Sequence, residues 1–564
     1  MARTVAIGLQ NFENIRTRNV FYVDKTNFIK EWWESKDDVT LITRPRRFGK
    51  TLNMDMLNCF FSNEYAYRGD LFEGLSIWNE EKYRQLQGTY PVIFISFAGV
   101  KDTDFDGMSY TVCKQISDIY ESNRYLLEGD LLSDNEKDYF KSVNTKMPLK
   151  VAENALNSLS NFISRYYKKK VIILVDEYDT PMQEAWINGY WNEAVAFFRS
   201  LFNTLFKTNP YIERGIITGI TRISKESIFS DLNHIKVVTV GSDMYADCFG
   251  FTQKEVSDAL EEYDLSDQKD AVKEWYDGFT FGRYTDIYNP WSIINYLDNK
   301  KIDSYWSNTS SNGLINSLLQ KGDANVKQIL EGLIKGEAFN AKINEDIVFA
   351  QLDSDNDAIW SLMLAAGYLK VEKIEADEYD TDVYTLNVTN RETVRFLRDM
   401  ISRWFSKYKG LYYSDFIESF LKGDIEEMNI CMNDITETVF SFYDVGSGKK
   451  WKQAESFYHG FVLGLMVELA RDYVLRSNRE SGRGRYDVML IPKGDRDAMI
   501  IEFKAVRDDK KETLESALQM ALEQIESKNY EQDLISMGIT KDRIKKYGFA
   551  FEGKTVLIGT KEDN

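Results

Sequence analysis

Short, almost uninterrupted apolar runs recur over the first 240 positions, separated by longer stretches in which apolar residues return every three or four positions. The runs are VTLIT (39–43), PVIFISF (91–97), VIILVDE (171–177), GIITGI (215–220) and KVVTV (236–240). Near-continuous hydrophobicity of this kind is what a parallel sheet covered on both faces requires. Between the runs, TLNMDMLNCFF (51–61) and NEAVAFFRSLFNTLF (192–206) have helical spacing. The alternation predicts an α/β doubly wound domain over residues 1–245.

The pattern then changes. TQKEVSDALEEY, PWSIINYL, NGLINSLLQ, AIWSLMLAAGYL and RETVRFLRDMISRWFSKY all carry helical periods, with thin β signal near YLKVEKI and YTLNV. They predict a mostly helical middle region over 246–443. DVGSGKKWKQ (444–453) has the glycine, serine and charge of a linker. A compact mixed segment follows over 453–564: a helix at 455–471, strands near 484–491 and 498–504, a helix at 512–527, and strands near 547–558. There is no internal repeat and no low-complexity tract.

Composition narrows the class. A chain of 564 residues exceeds one core, which points to about three domains. An apolar content of 43% with 14% aromatics argues against global disorder. The net charge of −19 makes the chain as a whole a poor polyanion binder, so any nucleic-acid contact needs a local basic patch. Cys59, Cys113, Cys248 and Cys431 lie far apart without metal-ligand spacing, as reduced thiols of a cytoplasmic protein do. Two histidines, His234 and His459, exclude a histidine-rich metal site. The start MARTVAIGLQNFENI lacks the apolar core of a leader, and no run reaches membrane-span length, so no membrane partner is expected.

The candidate chemistry begins at RPRRFGKT (44–51). A phosphate-binding loop works because a turn after a strand aims backbone N–H groups at phosphate while the next helix adds its positive end. Its lysine reaches the terminal phosphates and its hydroxyl binds magnesium. Gly49, Lys50 and Thr51 occupy those positions, whereas Arg44 stands where the motif has its first glycine. A basic turn capping a helix would spell the same. VIILVDEYDTP weighs against that alternative, because it puts Asp176 and Glu177 at the C-terminal end of an apolar strand, facing the same crevice. There Asp176 can hold magnesium, and Glu177 can orient or deprotonate an attacking water. TGITR (218–222) brings Thr218 and Arg222 to the crevice as candidate γ-phosphate sensors, a surface salt bridge being the alternative for Arg222.

YVDKTNFI (22–29), RPRRFGKT (44–51), VDEYDTP (175–181), TGITRIS (218–224) and WYDGF followed by IYNPWSI (275–293) together resemble the bacterial AAA-ATPase-like proteins that carry a C-terminal PD-(D/E)XK nuclease-type domain. The similarity covers nearly the whole chain, and the arginine-bearing loop is that family's variant. The resemblance implies an ATP-binding P-loop NTPase domain, a helical lid and a restriction-endonuclease-like α/β domain. It implies a nucleotide site made of Arg44, Arg47, Phe48, Gly49, Lys50, Thr51, Asp176 and Arg222, with Mg2+ held by Thr51 and Asp176.

In GRGRYDVMLIPKGDRDAMIIEFKAV (482–506), Asp487, Glu502 and Lys504 form a D…E-x-K pattern. Positions 502 and 504 leave the same face of a strand. Two carboxylates and a lysine suit Mg2+-assisted phosphodiester hydrolysis, with Asp487 and Glu502 as ligands. A solvated ion pair on an amphipathic hairpin is the alternative, but AMIIEFKAV is an apolar strand in which charges are costly without a purpose. Gln524 and Tyr530 match the end of the family's nuclease-type domain, and Glu455 and His459 share one helix face. Arg476, Arg479, Arg483, Arg485, Lys493, Arg496, Lys504, Arg507, Lys510 and Lys511 make the one plausible patch for a polyanion, DNA or RNA, but intervening acids dilute it and a solvated charged surface is the alternative. Two functions stay open: an ATPase coupled to a nuclease, or a nucleotide-dependent switch whose nuclease-like domain binds without cutting. The oligomeric state is left open.

Overall fold

The computed structural model describes residues 2–207, 209–222, 232, 234–306, 313–346, 352, 355–406, 412–443, 460–461, 464–465, 467–481, 484–506, 512–552 and 555–561. They form two compact units, Met1–Ile315 with Ala338–Val394, and Asn316–Glu337 with Arg395–Asn564. The expected middle region, 246–443, is thus divided between the two.

In the first unit, β1 (Val39–Thr43), β2 (Val92–Ser96), β3 (Val171–Asp176), β4 (Ile212–Gly219) and β5 (Ile235–Val238) lie within a residue or three of the five apolar runs. They form one sheet in the order β2-β3-β4-β1-β5, and every pairing is parallel. All residues of β1 and β3 are buried. Successive side chains point to opposite faces, so both faces of the sheet are covered. Parallel neighbours require long crossovers, and these contain helices such as Lys50–Phe61, Leu149–Tyr167 and Trp191–Phe206. The last buries Phe197, Phe198, Leu201, Phe202 and Leu205 at helical spacing. With β4 seated between β1 and β3, the loops leaving all three strands open at one edge.

Two small sheets complete this unit. One joins β6 (Phe251–Thr252), β7 (Phe279–Phe281) and β8 (Tyr284–Tyr288), and the other joins β9 (Phe339–Ala341), β10 (Leu369–Ala376) and β11 (Asp382–Val388). β10 and β11 coincide with the thin β signal of the sequence. The β6–β8 sheet was not expected, because strands of two to five residues are too short to show a period.

The second unit holds a five-stranded sheet of β12 (Tyr473–Ser481), β13 (Gly484–Pro492), β14 (Ala498–Ala505), β15 (Ile544–Glu552) and β16 (Thr555–Gly559), in that order. β14 and β15 run parallel and the other pairs antiparallel. The parallel step requires a crossover, made through helix Leu514–Ser527, which buries Ala517, Ala521 and Ile525. β16 is an edge strand, and helix Ile425–Tyr443 closes that edge. Asn429 and Asn433, one turn apart, each place an amide against the strand's backbone. Asn429 bonds the carbonyl (2.9 Å) and N–H (2.8 Å) of Ile558, and Asn433 bonds those of Val556 (2.8 and 2.9 Å). Residues two apart on a strand present their free ladder groups on the same edge, so two asparagines stand in for a missing strand.

Candidate active sites

Gly49 caps helix Lys50–Phe61 with φ of 81°, a conformation open to glycine without penalty. Arg47 (φ 66°) and Glu177 (φ 52°) adopt the same left-handed region without being glycine. Such backbone costs about 1–2 kcal/mol per residue and concentrates where function demands a geometry. Here the two residues lie on the loops after β1 and β3.

Asp176 is fully buried and held by three hydroxyls. Thr218 Oγ1 donates to its Oδ1 at 2.6 Å, while Thr51 Oγ1 (2.8 Å) and Ser96 Oγ (3.3 Å) donate to Oδ2. Burial raises its pKa above the ordinary carboxylate value, and the Thr218 hydrogen bond opposes the rise. The arrangement joins Thr51 and Asp176 around hard oxygens suited to a divalent cation. Lys50 Nζ donates to the carbonyls of Arg44 and Pro45, each at 2.9 Å. Burial lowers its pKa, with Glu177, Asp179 and Asp176 opposing in that order. Burial also lowers the pKa of Arg47, and Glu177 is the first group opposing it. Glu177 therefore lies within electrostatic reach of both cations, and its Oε2 accepts from Thr180 Oγ1 (3.1 Å).

Three residues of the expected nucleotide site have protein partners, and for Arg222 the partner is that of the alternative reading, an ion pair. Arg44 is fully buried and donates to the carbonyls of Thr43 (2.9 Å), Thr239 (2.6 Å) and Met244 (3.1 Å). Phe48 is a core residue against Phe279 and Phe281. Arg222 forms an ion pair with Asp346 at 2.5 Å. Sequence reasoning missed Ser96 and Asp179. The first could have been found as the polar residue ending an apolar strand. Asp179 Oδ2 accepts from the backbone N–H of Ile220 (3.0 Å) and Thr221 (2.9 Å) and from Thr221 Oγ1 (2.9 Å), which fixes the turn after β4. Its position inside VDEYDTP was the available signal. Lys25, from YVDKTNFI, is committed to Glu255 (2.8 Å) and the Asp247 carbonyl (2.7 Å), a structural tie.

In the second unit, the β13–β14 ladder ends at Val488↔Ile501. One residue further, Asp487 Oδ2 takes the N–H of Phe503 at 2.9 Å, and this replaces a ladder bond just where Glu502 enters. Glu502 is 1% exposed. Its Oε1 accepts from Lys504 Nζ (3.1 Å) and from Gln524 Nε2, which also contacts the Tyr530 hydroxyl at 3.2 Å. Among the described residues, its Oε2 is buried without a hydrogen-bond donor. Burial, then the Asp487 charge, push its pKa well above the usual value, while Lys504 opposes. A buried carboxylate with an orphaned oxygen beside a second acid has the donor set of a cation site. Of the basic patch, Arg496 pairs with Asp472 (3.3 Å) and Lys493 Nζ donates to the Ala470 carbonyl (2.7 Å). Arg483, Arg507, Lys510 and Lys511 lie outside the described residues, as do Glu455 and His459. Among the described residues, no helix is long and apolar enough to cross a membrane.

Comparison with known proteins finds matches in two separate stretches of the chain. Residues 6–229 match a family profile described as AAA-ATPase-like, a predicted AAA-ATPase, and residues 453–561 match the PD-(D/E)XK nuclease superfamily. Over 377 residues, 66% of this chain, the sequence is 24% identical to an uncharacterized protein in the vnfD 5' region of Azotobacter chroococcum mcd 1, of which the match covers 65%. In its architecture the chain thus joins a predicted AAA-ATPase domain to a domain of the PD-(D/E)XK nuclease superfamily.

Proposed function

We propose that the first unit binds and hydrolyses ATP with Mg2+, and that the second cleaves nucleic-acid phosphodiester bonds under control of the nucleotide state. What carries the reading is the pair of oxygen cradles, Thr51–Asp176 at 2.8 Å and Asp487–Glu502 with its orphaned oxygen. Once released from the Arg44 and Pro45 carbonyls, to which it donates at 2.9 Å, Lys50 would meet the terminal phosphates. Glu177, adjacent to Asp176, takes the proton of the attacking water, the role a carboxylate fills when it is held beside a metal-binding acid. In the second unit Asp487 and Glu502 would hold the ion. Lys504, bonded to Glu502, orients the nucleophile or offsets charge developing on the phosphate. A bound divalent cation supplies Lewis acidity at the phosphoryl oxygen and lowers the pKa of its water.

The test is Mg2+-dependent cleavage of a DNA and RNA panel by the full chain, with and without ATP. Glu502→Ala and Lys50→Ala are the controls. Cleavage that is lost in Glu502→Ala and altered in Lys50→Ala is the expected result. Equal inactivity of wild type and Glu502→Ala, with ATP binding retained, would instead establish a nucleotide-dependent switch.

A further inference from the structure

The segment WYDGF…IYNPWSI (275–293) has no role in the chemistry above, and it lies outside both matched profiles. Its surroundings supply one. Arg44 stacks over Phe281 (4.5 Å to the ring centre). Pro45 sits under Gly367, where an added Cβ would come within 3.0 Å of the proline ring and 2.8 Å of Phe279. The carbonyl of Arg46 accepts two hydrogen bonds, from Asn289 Nδ2 (3.2 Å) and Trp306 Nε1 (3.1 Å). The guanidinium of Arg47 lies over Trp291 at 4.3 Å. Phe48 packs against Phe279 at 4.7 Å, and its carbonyl takes the N–H of Gly250 at 3.3 Å. Five consecutive loop residues are gripped from outside the loop.

A glycine-rich loop reaches its phosphate-binding shape because its backbone is permissive. This loop has Arg-Pro-Arg-Arg-Phe instead, with Arg47 in the left-handed region, so the shape has to be imposed. We propose that Asn289, Trp291 and Trp306 form a clamp that holds the loop in its phosphate-accepting conformation, and that they are positioning residues for nucleotide binding. The proposal rests on the nucleotide reading of the loop.

The clamp is itself braced. Glu392, almost fully buried, accepts from Ser292 Oγ (2.7 Å) and from the Trp306 backbone N–H (2.5 Å), and this ties its two halves together. Trp306 is further wedged between Phe279 (5.7 Å) and Tyr368 (5.2 Å). An arginine that interacts with an aromatic ring through its face keeps its in-plane N–H donors for phosphate oxygens, and Arg47, 4.3 Å from the Trp291 ring centre, suits that use. Arg47, and not the carbonyl-bound Arg44, is then the arginine that serves the ligand.

Two substitutions isolate the clamp from the fold. Asn289 Oδ1 caps helix Pro290–Asn299 through the N–H groups of Trp291 (2.9 Å) and Ser292 (3.3 Å). Asn289→Asp keeps that cap but loses the donor to Arg46. Trp306→Phe keeps a ring in place and loses Nε1–H. In the full chain, each should weaken Mg-ATP binding roughly five- to tenfold, the worth of one hydrogen bond. Amide exchange of residues 44–51 should quicken while the melting temperature without nucleotide shifts by only a few degrees. Unchanged loop exchange together with unchanged affinity in a folded variant overturns the clamp. Should one variant unfold, the other decides. A wild-type chain that binds no Mg-ATP overturns the nucleotide reading instead, and loop exchange in the variants still judges the clamp.

Discussion

The three hydroxyls on Asp176 offer a graded test of how the cation cradle is held. Thr218→Val is nearly isosteric and removes only the donor at 2.6 Å. Ser96→Ala removes the donor at 3.3 Å. A hydrogen bond to a charged acceptor contributes about 1.5–3 kcal/mol, against about 1 for a neutral pair. Thr218→Val should therefore cost about 1.5–3 kcal/mol of unfolding free energy where Asp176 is ionised, and Ser96→Ala about 1 or less, because its bond is longer. The pH dependence has a definite sign. Burial holds the Asp176 pKa above its ordinary value and the Thr218 bond pulls it back. A raised carboxyl loses stability as pH rises from the unfolded towards the folded pKa. Removing Thr218 raises the folded pKa further and extends that loss to higher pH. The gap between wild type and Thr218→Val should thus be smallest in mild acid and widen as pH rises. Urea unfolding followed by pulsed amide exchange in β1, β3 and β4 reads this unit separately within the full chain. A Thr218→Val cost no larger than that of Ser96→Ala, or one that does not widen with pH, would refute the reasoning.

Glu177→Gln should bind Mg-ATP as wild type does and hydrolyse it roughly 10²–10⁴-fold more slowly; unchanged phosphate release would move the base elsewhere. In the second unit, the raised Glu502 pKa means that stability without metal falls as pH rises from the ordinary carboxylate range towards it and levels off above it. Stabilisation of this unit by Mn2+ or Mg2+ should therefore grow with pH and vanish in Asp487→Asn, which calorimetry can follow. Asn429→Ala with Asn433→Ala removes four hydrogen bonds to β16, at about 1 kcal/mol each. The melting temperature of this unit should drop by several degrees and the exposed edge should promote association, readable by light scattering.

The sequence carried most of what positions the first site. Short, nearly unbroken apolar runs bounded by turn residues, as in β1 and β3, suit strands covered on both faces, so the strands and the order Gly49-Lys50-Thr51 then Asp176-Glu177 were legible. What Arg44 and Phe48 do was not. Motif position places a residue in the loop but does not say which way its side chain leaves the backbone. The direction is set by Thr239, Met244, Phe279 and Phe281, which lie far along the chain. Arg222 is a similar case, because its ion pair comes from Asp346, in a stretch whose short strands give no periodic signal.

The second unit shows why a recognisable domain and a folding unit differ in extent. Asp487, Glu502 and Lys504 are marked by chemistry, since charges in or beside an apolar strand are conspicuous, and so the candidate site could be picked out from the sequence. Nothing in NICMNDI (429–435) marks Asn429 and Asn433 as partners of a strand 120 residues later. Their amides simply resemble surface polar groups at helical spacing. Yet they satisfy the backbone of an edge strand that would otherwise be open to pairing with another chain. The superfamily match begins at residue 453, after this helix, so a truncated chain starting there would keep Asp487, Glu502 and Lys504 and expose β16. The helix therefore belongs to the nuclease-like sheet physically, whatever the boundary drawn from sequence, and the divided middle region follows from that dependence.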